Sequence, residues 1–322
     1  MLHRVGTVSP QPATRRLGSS DLEVSVLGLG CNQIGRTVDR DGARQLIDEC
    51  EAVGVNLVDT ADTYGEAGSS EAFLGDALAG ARRDRFVVAT KFGMRLSGIA
   101  GVPEAPYGSR EYIRWAVEGS LRRLRTDHID LYQYHRPDGV TPLEETLGAM
   151  NELIDEGRVR FIGCSNFGAD LVDEAARLAE ENGWAALVSL QNEYSLLQRE
   201  LEADVVPACE RHGLGILPYF PLARGLLTGK YRRGEAGPEG ARLSSREEVA
   251  DARTFDVLEA LERYAEERGV SLLEVAIGGL AAQPAVASVI AGARRPDQIA
   301  GNARAARWVP GEDDLRALDE IA

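Results

Sequence analysis

Eight short apolar runs rich in β-branched residues recur along this chain, at 24–29, 55–58, 86–90, 129–134, 159–164, 186–191, 215–219 and 287–291. Longer runs with apolar residues at helical spacing separate them, at 41–53, 69–80, 109–125, 142–156, 168–182, 199–212 and the pair 247–268 and 271–282. A further helix starts near Pro296. Strands with a helix between each pair cannot be joined as hairpins. The βα order therefore implies parallel strands with right-handed crossovers. Eight such units in 322 residues match a closed (β/α)8 TIM barrel, which takes about 250 residues.

Residues 1–14 are polar, carry Pro10 and Pro12, and have no apolar core of a secretory signal, so they read as a loose tail before one domain over 15–322. Residues 16–25 hold a Gly-Ser-Ser-Asp turn between two short extended runs, a hairpin suited to plugging the N-terminal mouth of the barrel. Two connections exceed ordinary loop length, 92–109 and 222–247. Both follow strands, so in a barrel both lie on the face where active sites form. Little chain follows Trp308, so these loops are expected to set what enters.

A net charge of −15 argues against a nucleic-acid binder, which needs a basic footprint. No run approaches the ~20 apolar residues of a membrane span. Cys31, Cys50, Cys164 and Cys209 are widely spaced, with no metal-ligand pattern; reduced thiols and a cytoplasmic protein follow. The segment GLGCNQIG at 28–35 looks like a dinucleotide fingerprint, but its last glycine falls two places late for GxGxxG.

Only two of the 36 basic residues are lysines, Lys91 and Lys230. Where arginine has replaced nearly every lysine, as in a GC-rich bacterial genome, the survivors mark places where a guanidinium does not serve. Lys91 ends the apolar run 86–90. Asp59 and Tyr64, in DTADTYG at 59–65, and His135, closing DLYQYH at 130–135, also stand at strand ends. A phenol is a reluctant acid at neutral pH, and a nearby ammonium lowers its pKa. A carboxylate keeps the buried ammonium charged, and a neutral imidazole can orient a substrate oxygen. The set suits proton delivery to an oxygen that gains charge, as when hydride adds to a carbonyl. Singly, each residue could be a turn, a packing aromatic or a structural ion pair; together they form a site. His3, His128 and His212 read as structural.

Nine ordered segments resemble the aldo-keto reductase family: GLGCN at 28–32, DTADTYG at 59–65, GSSEAFLG at 68–75, ATKFG at 89–93, DLYQYH at 130–135, GCSNF at 163–167, QNEY at 191–194, PLARGLLTGK at 221–230, and GAR at 292–294 with Gln298 and Asn302. The cofactor loop is similar to that of the branch containing potassium-channel β subunits. The resemblance implies NADPH-dependent reduction of an aldehyde or ketone, with Tyr64 as general acid, Lys91 and Asp59 lowering its pKa, and His135 orienting the carbonyl. It implies that Ser165, Asn166 and Gln191 hold the nicotinamide carboxamide, that Tyr219 stacks on its ring, and that Gly30, Cys31, Asn32 and Asp59 border it. Phe220, Pro221, Leu222, Arg224 and Gly225 would cross the pyrophosphate, with Lys230 and Arg242 as charged clamps. Gly292, Ala293 and Arg294 would receive the 2′-phosphate, helped by Arg295, and Gln298 and Asn302 would contact adenine. Ile34, Phe92 and Met94 are expected in the substrate pocket. Phe220 stands where the family commonly has Ser, and Gly301 where a Glu often meets adenine. Two other classes stay open. One is a cofactor-binding regulatory subunit with little turnover; such proteins lack the histidine. The other is a barrel aldolase using Lys91 as a Schiff base, which Asp59 opposes by keeping the amine protonated.

Overall fold

The computed structural model describes residues 11–96, 98–239, 243 and 250–322. Its centre is an eight-stranded, all-parallel barrel of β3 (Leu27–Gly30), β4 (Leu57–Asp59), β5 (Val87–Phe92), β6 (Ile129–Tyr134), β7 (Val159–Ser165), β8 (Ser189–Gln191), β9 (Gly215–Ile216) and β10 (Val289–Gly292). The strands follow one another in chain order, and β10 pairs with β3. Closure between β9 and β10 comes from Ala287 N donating to the Ile216 carbonyl at 2.9 Å, and Ile216 N to the Ala285 carbonyl at 2.7 Å.

Around the barrel lie α1 (Arg40–Val53), α2 (Ser69–Ala77), α3 (Arg110–Leu124), α4 (Leu143–Asp155), α5 (Ala169–Asn182), α6 (Val205–His212), α7 (Ala252–Arg268), α8 (Leu272–Ala281), α9 (Pro296–Ala305) and α10 (Glu312–Ile321). Their ends carry the expected signals. Asp39, Ser109 and Asp251 accept N-terminal amide hydrogens, Ser271 and Glu274 form a capping box, and left-handed glycines close α1, α5, α6 and α7.

Several boundaries differ from the sequence reading. The run 24–29 is two strands: β2 (Glu23–Ser25) pairs antiparallel with β1 (Thr14–Arg16), and the chain then turns into β3. Thr14 thus belongs to the hairpin rather than to the tail. The 199–212 helix breaks at Asp204, whose φ of −141° is not helical, leaving a short 3-10 turn before α6. Helix α7 begins at Ala252, and α10 went unrecognised.

The hairpin does close the bottom of the barrel. Leu17 and Val24, both fully buried, pack against Leu57, Val87, Leu131, Val188 and Leu217. Gly18 makes this possible: at φ +57° a Cβ there would stand 2.4 Å from the Gly213 and Val188 carbonyl oxygens. Because side chains alternate across a strand, the interior column of β5 reads Val87, Ala89, Lys91, and that of β6 reads Leu131, Gln133, leading to His135. Apolar groups therefore fill the bottom, and polar ones emerge at the C-terminal ends.

Candidate active site

Asp59 ends β4, Lys91 lies near the end of β5, His135 follows β6, and Tyr64 sits in the loop between β4 and α2. Lys91 Nζ donates to Asp59 Oδ2 at 2.6 Å and to the Thr60 carbonyl at 2.8 Å, and lies 5.0 Å from the centre of the Tyr64 ring. The other carboxylate oxygen of Asp59 accepts from Gln191 at 2.8 Å and from Gln133 at 3.2 Å. Lys91 and Asp59 are fully buried. A buried ion pair survives only when both charges are well paired and hydrogen-bonded, and these are. The Tyr64 and His135 rings meet edge-on at 5.9 Å between centroids.

The protonation states follow from burial and neighbours. Burial alone would lower the Lys91 pKa, but Asp59 and Tyr64 outweigh it, and the ammonium is held above its ordinary value. An ammonium held charged by Asp59 in this way opposes use of Lys91 as a Schiff-base nucleophile. For Tyr64 the sequence expectation needs correction: burial raises the phenol pKa more than Lys91 lowers it, so the net direction is up. The phenol thus keeps its proton at neutral pH, as an acid must. Burial, then Lys91 and Arg136, push His135 down to about 3. Its ring is neutral, and Nδ1 is sealed from solvent without a hydrogen-bond partner, which leaves Nε2 as the nitrogen available to a ligand.

These groups open into a cavity of about 840 Å³ over the C-terminal ends of the strands. On one wall Asn166, at φ +60°, donates to the His135 carbonyl at 2.9 Å and accepts from the Tyr219 hydroxyl at 2.8 Å, with Ser165 Oγ 3.0 Å from its amide. Among the described residues seven non-glycine residues have positive φ. Four of them, Asn166, Phe220, Ala223 and Arg224, lie at or beside this cavity. Backbone held in sparsely populated regions gathers at functional sites. In the 220–225 loop the left-handed residues Phe220, Ala223 and Arg224 fold the chain tightly, with Ala223 N donating to the Phe220 carbonyl at 2.8 Å and Gly225 N to the Leu222 carbonyl at 2.7 Å. Lys230 stands at this loop, and its pKa is lowered by burial and by the nearby Arg294 and Arg295. Three cations that repel one another in one concavity suit a polyanion.

The model of the family described as "Aldo/keto reductase family" matches residues 26–322. The chain belongs to the aldo/keto reductase family. It is 36% identical over 308 residues to a protein of Oryza sativa subsp. japonica named "Probable voltage-gated potassium channel subunit beta", with 92% of each chain covered. It is 37% identical over 309 residues to the "Uncharacterized oxidoreductase YqkF" of Bacillus subtilis, with 94% of each covered. It is 35% identical over 311 residues to the "Uncharacterized oxidoreductase YrpG" of the same organism, with 95% of this chain and 94% of that one covered. Family members are oxidoreductases that generally use NADH or NADPH.

In this aldo/keto reductase most of the residues singled out from sequence meet in the one cavity. Gly30, Cys31, Asn32, Met94, Gln191, Pro221, Gly225, Gly292, Ala293 and Asn302 line it together with the groups described above. Two expectations fail. Ile34 and Phe92 are buried in the core and do not line the cavity: Phe92 points away from Lys91 and stacks on Tyr134 with ring centroids 5.2 Å apart. Gln298 lines the cavity beside Asn302, and its Oε1 caps α9 by accepting the backbone amides of Arg294 and Arg295 at 2.8 and 3.2 Å. Arg295 is tied to Asp297 at 2.9 and 3.0 Å. Arg242 lies outside the described residues. The four cysteines are buried free thiols; burial, first of all, pushes Cys31 far up in pKa, so it is no nucleophile. His128 and His212 pair with Asp127 and Asp173, each at 2.7 Å.

Sequence reading missed Gln133, Asn192, Arg36 and Arg136. Asn192 Oδ1 accepts from Asn166 N at 2.7 Å and so fixes its left-handed turn. Gln133 carried a signal: it is polar inside an apolar strand, two residues before His135 and on the same face.

Proposed function

We propose that this protein reduces aldehydes or ketones to alcohols with NADPH. When bound, the dihydronicotinamide supplies the hydride that adds to the carbonyl carbon. Tyr64 Oη gives its proton to the carbonyl oxygen as that oxygen gains charge, and the alcohol leaves. The phenolate that remains lies beside the Lys91 ammonium, which stabilises it until solvent returns a proton. Asp59, fixed by Gln191 and Gln133, holds Lys91 charged. Neutral His135 donates from Nε2 to the same carbonyl oxygen and orients it between the two rings. Ser165, Asn166 and Gln191 would hold the carboxamide, Tyr219 the ring face, and the 220–225 loop with Lys230 the pyrophosphate. Arg294 would take the 2′-phosphate through its planar guanidinium, which favours NADPH over NADH.

The observation that carries this reading is the Tyr64 and His135 rings meeting edge-on at 5.9 Å in the wall of one cavity, with the hydrogen-bonded Lys91–Asp59 pair behind the phenol. The likeness to a protein named as a probable potassium channel β subunit supports a second reading, a cofactor-binding regulatory protein with little turnover; His135 speaks against it. The deciding experiment follows NADPH oxidation over a panel of aldehydes in wild type and Tyr64→Phe. Turnover that falls by orders of magnitude in the variant, with NADPH still bound, supports the acid role. Tight NADPH binding without turnover in wild type would favour the second reading, and equal turnover in both proteins would remove Tyr64 from the chemistry.

A further inference from the structure

Among the described residues six cationic side chains line the cavity, of which Arg224 is paired with Glu193 at 3.8 Å and Arg295 with Asp297 at 2.9 Å. Arg224, Lys230, Arg294 and Arg295 gather at the 220–225 loop and at the start of α9. Two further arginines line the same cavity beside the reacting groups. Arg136 directly follows His135, and its charge reaches both the His135 ring and the Tyr219 phenol. Arg36 follows Gly35, whose backbone is packed on Gly65, the residue after Tyr64. A Cβ on Gly65 would stand 3.1 Å from Gly35 Cα, and both glycines have positive φ, +78° and +74°. The two guanidinium groups are thus rooted on either side of the Tyr64–His135 pair.

Among the described residues neither Arg36 nor Arg136 makes a side-chain hydrogen bond or an ion pair. That is informative in a chain with 51 acidic against 36 basic residues, where carboxylates are in excess. The acids that line this cavity offer little neutralisation: Asp59 is committed to Lys91 and Asp297 to Arg295, which leaves Glu239 on the long loop. A net charge of −15 repels anions at long range, so an anionic substrate needs cations placed locally.

We propose that the substrates are carbonyl compounds bearing an anionic group, carboxylate or phosphate, a few atoms from the carbonyl, and that Arg36 and Arg136 bind that group. The proposal rests on the reductase reading above. With the carbonyl oxygen between Tyr64 and His135, the rest of the molecule points towards the cavity mouth, where the guanidinium planes can each offer paired N–H donors to carboxylate or phosphate oxygens. Both side chains are solvent-exposed, so each contributes modestly, about tenfold in affinity, the lower end for a charge-assisted bond.

The test compares kcat/KM for NADPH-dependent reduction within matched pairs: 4-oxobutanoate against its methyl ester, and glyceraldehyde 3-phosphate against glyceraldehyde. The pairs separate a carboxylate from a phosphate preference. Wild type, Arg36→Met, Arg136→Met and Arg136→Lys are compared. The expected result is at least a tenfold preference for the charged member of one pair, expressed in KM rather than kcat. It should fall about tenfold in each Met variant and by less in Arg136→Lys. Equal use of charged and neutral members by wild type, or a preference that survives both Met substitutions, overturns the proposal while leaving the reductase reading intact. Failure of every aldehyde to oxidise NADPH sinks the reductase reading, and this one with it.

Discussion

Gln191 reaches across the barrel interior to Asp59, 2.8 Å away from a residue 132 positions earlier in the chain. With Gln133 and Lys91 it leaves the carboxylate with both oxygens engaged. The hydrogen-bond geometry makes Asp59 the fixed point of the site, and Lys91 and the Tyr64 proton are positioned from it.

Removing one member of the pair should therefore be far worse than removing both charges. Lys91→Met leaves Asp59 as an uncompensated buried anion, with an expected loss of about 3–5 kcal/mol in stability. The double variant Asp59→Asn/Lys91→Met carries no buried charge and should recover most of that loss, although neither protein should turn over. Denaturant unfolding of the wild type, both single variants and the double completes the cycle. Strict additivity of the two single losses would show that the pair is not coupled as described.

His135 gives a pH prediction. Its folded pKa is depressed to about 3 from an ordinary 6.5. An unfolded chain then binds a proton that the folded protein refuses. The stability contributed by His135 is complete above pH 6.5 and is lost as pH falls towards 3. Replacing His135 by Gln should flatten the fall of melting temperature over that window. For the same reason the pH–rate profile of wild type should show no break between pH 6 and 8 from this imidazole. A kinetic pKa near 6.5 that vanishes in the variant would mean that His135 titrates as an exposed histidine does.

How far the site was legible depended on the pleat. Lys91 stood out because an ammonium at the end of an apolar run has few other reasons to be there, and Asp59 and His135 gained meaning from equivalent strand ends. The same alternation explains the failure at Phe92. It is adjacent to Lys91 in sequence, so it faces the opposite side of β5 and enters the core. Ile34 failed because the turn after β3 directs it inward, which no local pattern announces. Gln298 was read from its place on α9, but the orphan amides at the helix start compete for its oxygen. Arg36 and Arg136 sit in loops, where spacing does not give direction. Helix α10 was legible and overlooked: Gly311 precedes three acids in its first turn, and Leu315, Leu318 and Ile321 follow at helical spacing.

Asp62 supplies the last prediction. It lies in the same loop as Tyr64, is fully buried, and neither of its carboxylate oxygens has a hydrogen-bond partner of ordinary geometry. The buried Tyr132 hydroxyl also lacks one. Burial and then Glu71 raise the Asp62 pKa far above the carboxylate range. Arg123 opposes this weakly, because it is already bonded to Glu71 at 2.7 Å. The folded pKa of Asp62 thus exceeds the unfolded value of about 4, and folding favours the neutral acid over the carboxylate. With that sign, folding takes up a proton, and stability falls as pH rises from 4 through the folded pKa. Asn has the shape of the protonated acid and no proton to lose. Asp62→Asn should therefore change little near pH 4.5 and raise the melting temperature at pH 8. Thermal unfolding of both proteins at the two pH values decides the matter. A loss of stability at pH 8 would mean that Asp62 is ionised and held by Arg123, which adds one negative charge behind the Tyr64 loop.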